Sequence, residues 1–260
     1  MSYDNIKIER EKSVVWIVLN RSHRLNTFND VMMDELSEVL DTVDKDDSVR
    51  CVIVTGEGDR AFSAGADIVA FPRVTPVMAA EYSRKGQKTF LKIEELSKPV
   101  IAAINGYALG AGLELALACD FRVASEHAEF GSPEINLGII PGWGGTQRLV
   151  RVVGLPNTKK FVLLGERVKA DEALKMGLVD RVVPFEKLRD EALTLAQRLC
   201  EGAPIAVKYA KHAINFGSQV PLDAGLRIES GLMATLFSTE DVKKGVEAFM
   251  SRRKPEFKGE

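Results

Sequence analysis

Two glutamates stand beside glycine-rich turns in this 260-residue chain, and they are the side chains best placed to move protons. Glu114 ends the segment Asn105-Gly106-Tyr107-Ala108-Leu109-Gly110-Ala111-Gly112-Leu113-Glu114, which leaves an apolar run and opens an apolar helix reaching Ala118. A helix that begins after a glycine turn presents unpaired N–H donors and the positive end of its macrodipole, which suits an oxyanion or a phosphate. A carboxylate in that first turn is either a charge favoured by the dipole or a group aimed into a pocket, and the segment alone leaves both readings open. Glu134 lies in Phe130-Gly131-Ser132-Pro133-Glu134-Ile135-Asn136-Leu137-Gly138, a loop bounded by Pro and Gly in which an isolated acid reads as solvated. A third segment, Ala61-Phe62-Ser63-Ala64-Gly65-Ala66-Asp67, is small and glycine-bearing, so its backbone can approach a ligand and present bare N–H groups. The competing reading there is a tight turn beside a helix. Residues 139–147, Ile-Ile-Pro-Gly-Trp-Gly-Gly-Thr-Gln, are apolar, glycine-rich and then helix-initiating.

Other chemistries fit less well. From Gly110 and Gly112 the third glycine of a dinucleotide fingerprint falls on Leu115, and no Gly-Lys-Ser/Thr comes after it. Ser63 sits in a near miss of a nucleophile elbow that lacks the first glycine. His23, His127 and His212 share no motif, and His127 lies between Glu126 and Glu129 in what reads as a solvated turn. Cys51, Cys119 and Cys200 are scattered and yield neither a disulfide framework nor a zinc spacing, so no metal is expected.

Three apolar runs must carry these segments. Val14-Val15-Trp16-Ile17-Val18-Leu19, Cys51-Val52-Ile53-Val54-Thr55-Gly56 and Val100-Ile101-Ala102-Ala103-Ile104 read as buried strands. Between the first two, Met32, Leu36, Val39, Leu40 and Val43 recur at helical spacing with Asn29 as N-cap. A long polar helix over residues 78–96 precedes the third. Such alternation predicts an α/β core with a parallel sheet and helical crossovers. After about residue 185 the strand signals stop, and segments near 186–200, 204–216, 221–237 and 239–251 read as helices. This places a core over 1–195 and a helical region over 196–260. With 45% hydrophobic and 28% charged residues and a net charge of −2, neither nucleic acid nor an anionic membrane is an expected partner. No apolar run spans a bilayer and no secretory segment is visible, so a cytoplasmic location is expected.

Phe62-Ser63-Ala64-Gly65-Ala66-Asp67, Asn105-Gly106-x-Ala108-x-Gly110-x-Gly112-x-Glu114, Pro133-Glu134-x-x-Leu137-Gly138 and Pro141-Gly142-x-Gly144-Gly145-Thr146 resemble, in order and spacing, the enoyl-CoA hydratase (crotonase) family. The resemblance extends over the whole chain. It implies a spiral of repeated ββα units, and a helical C-terminal region that builds homotrimers or hexamers. It also implies reversible hydration of a 2-enoyl-CoA to a 3-hydroxyacyl-CoA. By the same resemblance Glu114 activates water and Glu134 protonates the α-carbon, while the N–H groups of Ala66 and Ala111 form an oxyanion hole. Coenzyme A, part of the substrate rather than a separate cofactor, would lie along Ala64, Gly65, Ala66, Asp67 and Ile68. Arg24 and Leu25 would meet its phosphate and pantetheine portions, Gly110, Gly142 and Trp143 would also contact the substrate, and Gly142 would hold the loop beside the acids. Phe249 and Arg252 match positions that reach a neighbouring subunit's ligand.

Departures from the family pattern are Ser22 where Pro is usual, Asn26-Thr27-Phe28 for Asn-Ala-Leu, Ala111 for a frequent Gly, and Trp143 for a small residue. Trp143 points to a short acyl chain, of crotonyl-CoA or 3-hydroxypropionyl-CoA size; the helix over 78–96 is the other element that could set that length. An isomerase or another acyl-CoA enzyme of the same superfamily would usually change one of the two acids. An RNA-binding relative is disfavoured by the near-neutral charge, and a purely structural assembly protein by the intact acid pair.

Overall fold

The computed structural model describes residues 3–260. An antiparallel pair, β1 (Ile6–Glu11) and β2 (Val14–Leu19), leads into α1 (Asp30–Lys45). The Asn29 side chain accepts the Met32 N–H at 2.9 Å, capping α1 as its sequence predicts. Three ββα units come next in succession. They are β3 (Cys51–Gly56), β4 (Ala61–Ser63) and α2 (Pro76–Glu95); β5 (Val100–Ile104), β6 (Tyr107–Leu109) and α3 (Ala111–Ala118); and β7 (Phe121–Ser125), β8 (Glu129–Gly131) and α4 (Gly145–Leu164). The chain closes with β9 (Arg167–Lys169), α5 (Ala170–Lys175), β10 (Arg181–Val183), α6 (Leu188–Cys200), α7 (Pro204–Gly217), α8 (Leu222–Leu236) and α9 (Glu240–Met250).

The first strand of each unit enters one sheet, ordered β1-β2-β3-β5-β7-β10, and the second enters another, ordered β4-β6-β8-β9. Successive units therefore stack in parallel twice over, β3 on β5 on β7 and β4 on β6 on β8. This is the spiral of ββα units expected from the family resemblance. The central strands β2, β3 and β5 are buried on both faces, which is why they read as unbroken apolar runs. Val15, Ile17, Val52, Val54, Val100 and Ala102 pack in the larger core with residues of α1, α2 and α3. The intervening Val14, Trp16, Cys51, Ile53 and Ile101 pack with Leu188, Ala192 and Ala196 of α6.

The division expected at 195/196 falls inside α6, whose Ala196 is fully buried beside the sheet. The change in character comes after Cys200. Beyond it burial is sparse: α7 buries Lys211, and α8 has no buried residue. Leu222, Phe249 and Met250 are each more than three-quarters exposed. No helix among the described residues is long and apolar enough to cross a membrane.

Candidate active site

The small sheet brings the sequence segments together. β4 pairs with β6 through Ser63 and Ala108, and β6 with β8 through Leu109 and Gly131, so the chain leaves three neighbouring strands at one edge. Gly65-Ala66, Gly110-Ala111 and Ser132-Pro133-Glu134 are the segments that emerge there. Contact is close: a Cβ on Gly65 would lie 3.7 Å from the Ala111 nitrogen, and one on Gly110 would lie 2.8 Å from Glu134 Oε1. Gly110 also has φ +51°, a conformation that side chains rarely adopt. A Cβ on Gly112 would overlap the Ser63 carbonyl oxygen, so only glycine lets α3 start so near β4.

Neither backbone donor is used by the element it belongs to. Ala66 forms a parallel bridge with Phe28, in which Phe28 N donates to Gly65 O at 2.9 Å and Asp67 N donates to Phe28 O at 2.8 Å. Backbone groups alternate in direction along a strand, so the Ala66 N–H faces away from Phe28. Ala111 is the first residue of α3, and its N–H is one of the four that a helix cannot satisfy internally.

Glu114 lies one turn into α3 and is 3% exposed. Its Oε1 accepts the Trp143 N–H at 2.8 Å and the Gly145 N–H at 2.7 Å. Burial raises its pKa to about 7; the two amides and the Arg148 charge oppose the rise, and the Glu134 charge adds to it. Glu134 sits in a 3-10 turn over Pro133–Leu137, where the Ser132 hydroxyl donates to its Oε2 at 2.9 Å. Burial raises this pKa too, against its own backbone N–H and Ser132. Two carboxyl groups of raised pKa, one buried and one half-buried, thus lie near enough for the charge of Glu134 to act on Glu114.

The raised pKa of Glu114 has a consequence for stability. Below its ordinary value of 4.5 the group is neutral whether the chain is folded or unfolded. As pH rises from there to about 7, only the unfolded chain loses the proton, so the folded state loses stability across that window. Glu114→Gln is expected to be more stable than the parent at pH 8 by about 2–3 kcal/mol, with the gain fading towards pH 4.5. Thermal melts across this range check it. A stability difference independent of pH would mean that Glu114 has an ordinary pKa.

The remaining expected residues are distributed around this centre. Leu25, with φ +51°, accepts the Ala64 N–H at its carbonyl at 2.9 Å, which ties the turn after β2 to the 64–68 segment. Arg24 is exposed; the Asp67 carboxylate pairs with Arg21 at 3.1 Å and caps Val69 N at 3.4 Å, and against the upward push of burial these bonds, with the Arg21 and Arg24 charges, hold its pKa down. Ile68 is exposed. The Gly142 carbonyl accepts from Ser83 Oγ at 2.6 Å and Gln87 Nε2 at 2.9 Å. Phe249 and Arg252 lie at and just beyond the end of α9, both exposed, and no hydrogen bond or ion pair among the described residues links them to the two acids.

Trp143 is buried, its ring 5.8 Å from Phe28, 5.5 Å from Phe90 and 5.1 Å from Tyr82. A Cβ on Gly86 of α2 would overlap the indole. Trp143 thus packs directly against the helix expected over 78–96. Tyr82, Ser83, Gln87 and Arg148 went unnoticed in the sequence; the first three meet the 142–145 loop only through tertiary packing, whereas Arg148, one turn into the helix after Gly145, had a local signal.

Comparison with known proteins identifies the family. The profile of the enoyl-CoA hydratase/isomerase family matches residues 9–260. The short-chain-enoyl-CoA hydratase of Clostridium acetobutylicum is 43% identical over 256 residues, 98% of this chain and 98% of the relative. The crotonyl-CoA hydratase of Syntrophomonas wolfei is 42% identical over 257 residues, 99% of each chain. The crystal structure of an enoyl-CoA hydratase from Bacillus anthracis superposes with a TM-score of 0.95 at 41% identity, covering 99% of this chain and all of that one.

Proposed function

This chain belongs to the enoyl-CoA hydratase/isomerase family and is an enoyl-CoA hydratase, and we propose that it acts on short 2-enoyl-CoA thioesters with Glu114 and Glu134 sharing one water. The observation that carries the mechanism is the meeting of two carboxyl groups of raised pKa, Glu114 buried and Glu134 half-buried, beside two N–H groups that their own elements leave unused. In hydration, ionised Glu114 takes a proton from water as its oxygen bonds to the β-carbon. The C=C electrons move towards the α-carbon and the thioester oxygen, where the N–H groups of Ala66 and Ala111 stabilise the growing charge. Protonated Glu134 delivers a proton to the α-carbon, and the pair resets by exchange with solvent. Dehydration runs the same steps backwards. Hydration is redox-neutral, so coenzyme A enters as part of the substrate and no further cofactor is called for.

The wall formed by Trp143, Gly86 and Tyr82 supports a preference for chains of C3 to C6. Apolar pockets discriminate by about 1–3 kcal/mol per methylene, so kcat/KM should fall in steps with chain length. Trp143→Ala should flatten that fall between C4 and C16, and should destabilise the fold by about 3–5 kcal/mol because the indole is fully packed. A parent that favours C10 or longer, or an alanine variant with the parental profile, sinks the idea.

The bare apolar faces of α7, α8 and α9 support assembly into a trimer or a pair of trimers. In such an assembly Phe249 and Arg252 would reach a neighbour's ligand, and coenzyme A would run past Arg24, Leu25 and residues 64–68. Light scattering that finds a stable, active monomer would rule this out. The free thiols Cys51, Cys119 and Cys200 suit a reducing compartment such as the cytoplasm.

A further inference from the structure

The loop that holds Glu114 is itself held. Its first peptide is fixed from α2, because Ser83 and Gln87 both donate to the Gly142 carbonyl. A trans peptide points its C=O and N–H in opposite directions, so drawing Gly142 O towards α2 aims the Trp143 N–H at Glu114. The next peptide is fixed by Arg148 of α4, whose NH1 donates to Trp143 O at 2.8 Å. The Nε of the same guanidinium donates to Glu94 Oε1 of α2 at 2.6 Å, and the ion pair is largely shielded, the two side chains being 13% and 26% exposed. Between the two amides that meet Glu114 lies Gly144, with φ +116°, and a Cβ there would collide with Arg148 NH1. The fork thus fills the space that this backbone conformation leaves open.

We infer that Arg148, anchored by Glu94, is a positioning residue for Glu114: it locks the middle peptide of the 142–145 loop so that the amides on either side converge on one carboxylate oxygen, and it brings a positive charge to the same site. The inference rests on the reading of Glu114 as the base that activates water. The charged and titratable groups facing Glu114 are Glu134 from the 3-10 turn, Arg148 from α4 and Tyr82 from α2, with Glu94 acting through Arg148. Arg148 opposes the upward shift of Glu114 and Glu134 adds to it. Loss of the guanidinium should therefore push the Glu114 pKa higher, and a base must be ionised to work.

The test is the pH dependence of crotonyl-CoA hydration by the intact assembled enzyme, with thermal melts to establish folding. In Arg148→Gln the acidic limb of kcat/KM should move up by about one pH unit, the size of a charge interaction over several ångströms at an effective dielectric of about 20. Its plateau kcat should fall about tenfold through misplacement of the base, with KM little changed. Arg148→Lys keeps the charge but cannot reproduce the planar fork that reaches Trp143 O and Glu94 together. Its limb should stay at the parental pH while its plateau kcat still falls. An Arg148→Gln limb that coincides with the parent's, or an Arg148→Lys plateau equal to the parent's, overturns the inference. Should Arg148→Gln not fold, the plateau of Arg148→Lys decides alone. A parent with no acidic limb near pH 7 would count instead against Glu114 as the base, and the plateau would still judge the role of Arg148.

Discussion

Glu114→Gln and Glu134→Gln are each expected to lower kcat for crotonyl-CoA hydration by about 10²–10⁴, the range of a positioned general acid or base. Glutamine keeps the shape of the side chain and can still accept the amides of Trp143 and Gly145 at Glu114 or the Ser132 hydroxyl at Glu134. It cannot take up or release a proton at neutral pH. The double variant should cost little more than the worse single one, because two groups that act on one water fail as a unit. Glu114→Gln should combine this loss with its gain in stability at pH 8, which separates removal of a base from damage to the fold. Near-normal hydration by either single variant would show that the acids do not share the reacting water.

Ala111→Pro should be nearly as harmful for a different reason. Ala111 is the first residue of α3, the helical position at which proline is best tolerated, since its N–H has no partner within the helix. Gly110 before it, at φ +51° and ψ −121°, mirrors the extended conformation that a residue preceding proline prefers. The substitution therefore removes one hydrogen-bond donor while leaving the helix start intact. If that donor faces the thioester oxygen, its loss and the ring carbon that takes its place should lower kcat/KM by at least about 10²–10³. Circular dichroism and the melting temperature should stay close to the parental values. Full activity in a folded Ala111→Pro enzyme would remove this N–H from the mechanism. A parallel Ala66→Pro is a poorer test, because the parallel bridge to Phe28 fixes the backbone there.

A single line of residues was enough to locate the strands at 14–19, 51–56 and 100–104, since a strand buried on both faces must be apolar throughout. The Asn29 cap and the four C-terminal helices were equally legible, because caps and helical spacing are local signals. So were the segments around Gly65, Gly110 and Glu134, and by resemblance the family. Several features were not. β1 is an edge strand with five of its six residues exposed, so it carries no apolar pattern. β4, β6 and β8 have three residues each, too few to show a period of two. Yet these are the strands that set Ala66, Ala111 and Glu134 side by side, and their pairing joins residues about twenty to fifty positions apart. Nor could α3 alone say whether Glu114 is a first-turn charge or a group aimed at a site. The surroundings of that carboxylate were set by a loop 29 and 31 residues further on, whose two amides close on one oxygen. Trp143 likewise became a wall only because Gly86 of a different unit leaves room for the indole. Chain-local chemistry chooses strands, helices, caps and the residue types able to react. Which of those residues become neighbours, how dry they are and what charge they carry depend on the spiral stacking of units far apart in sequence, and no local pattern encodes that.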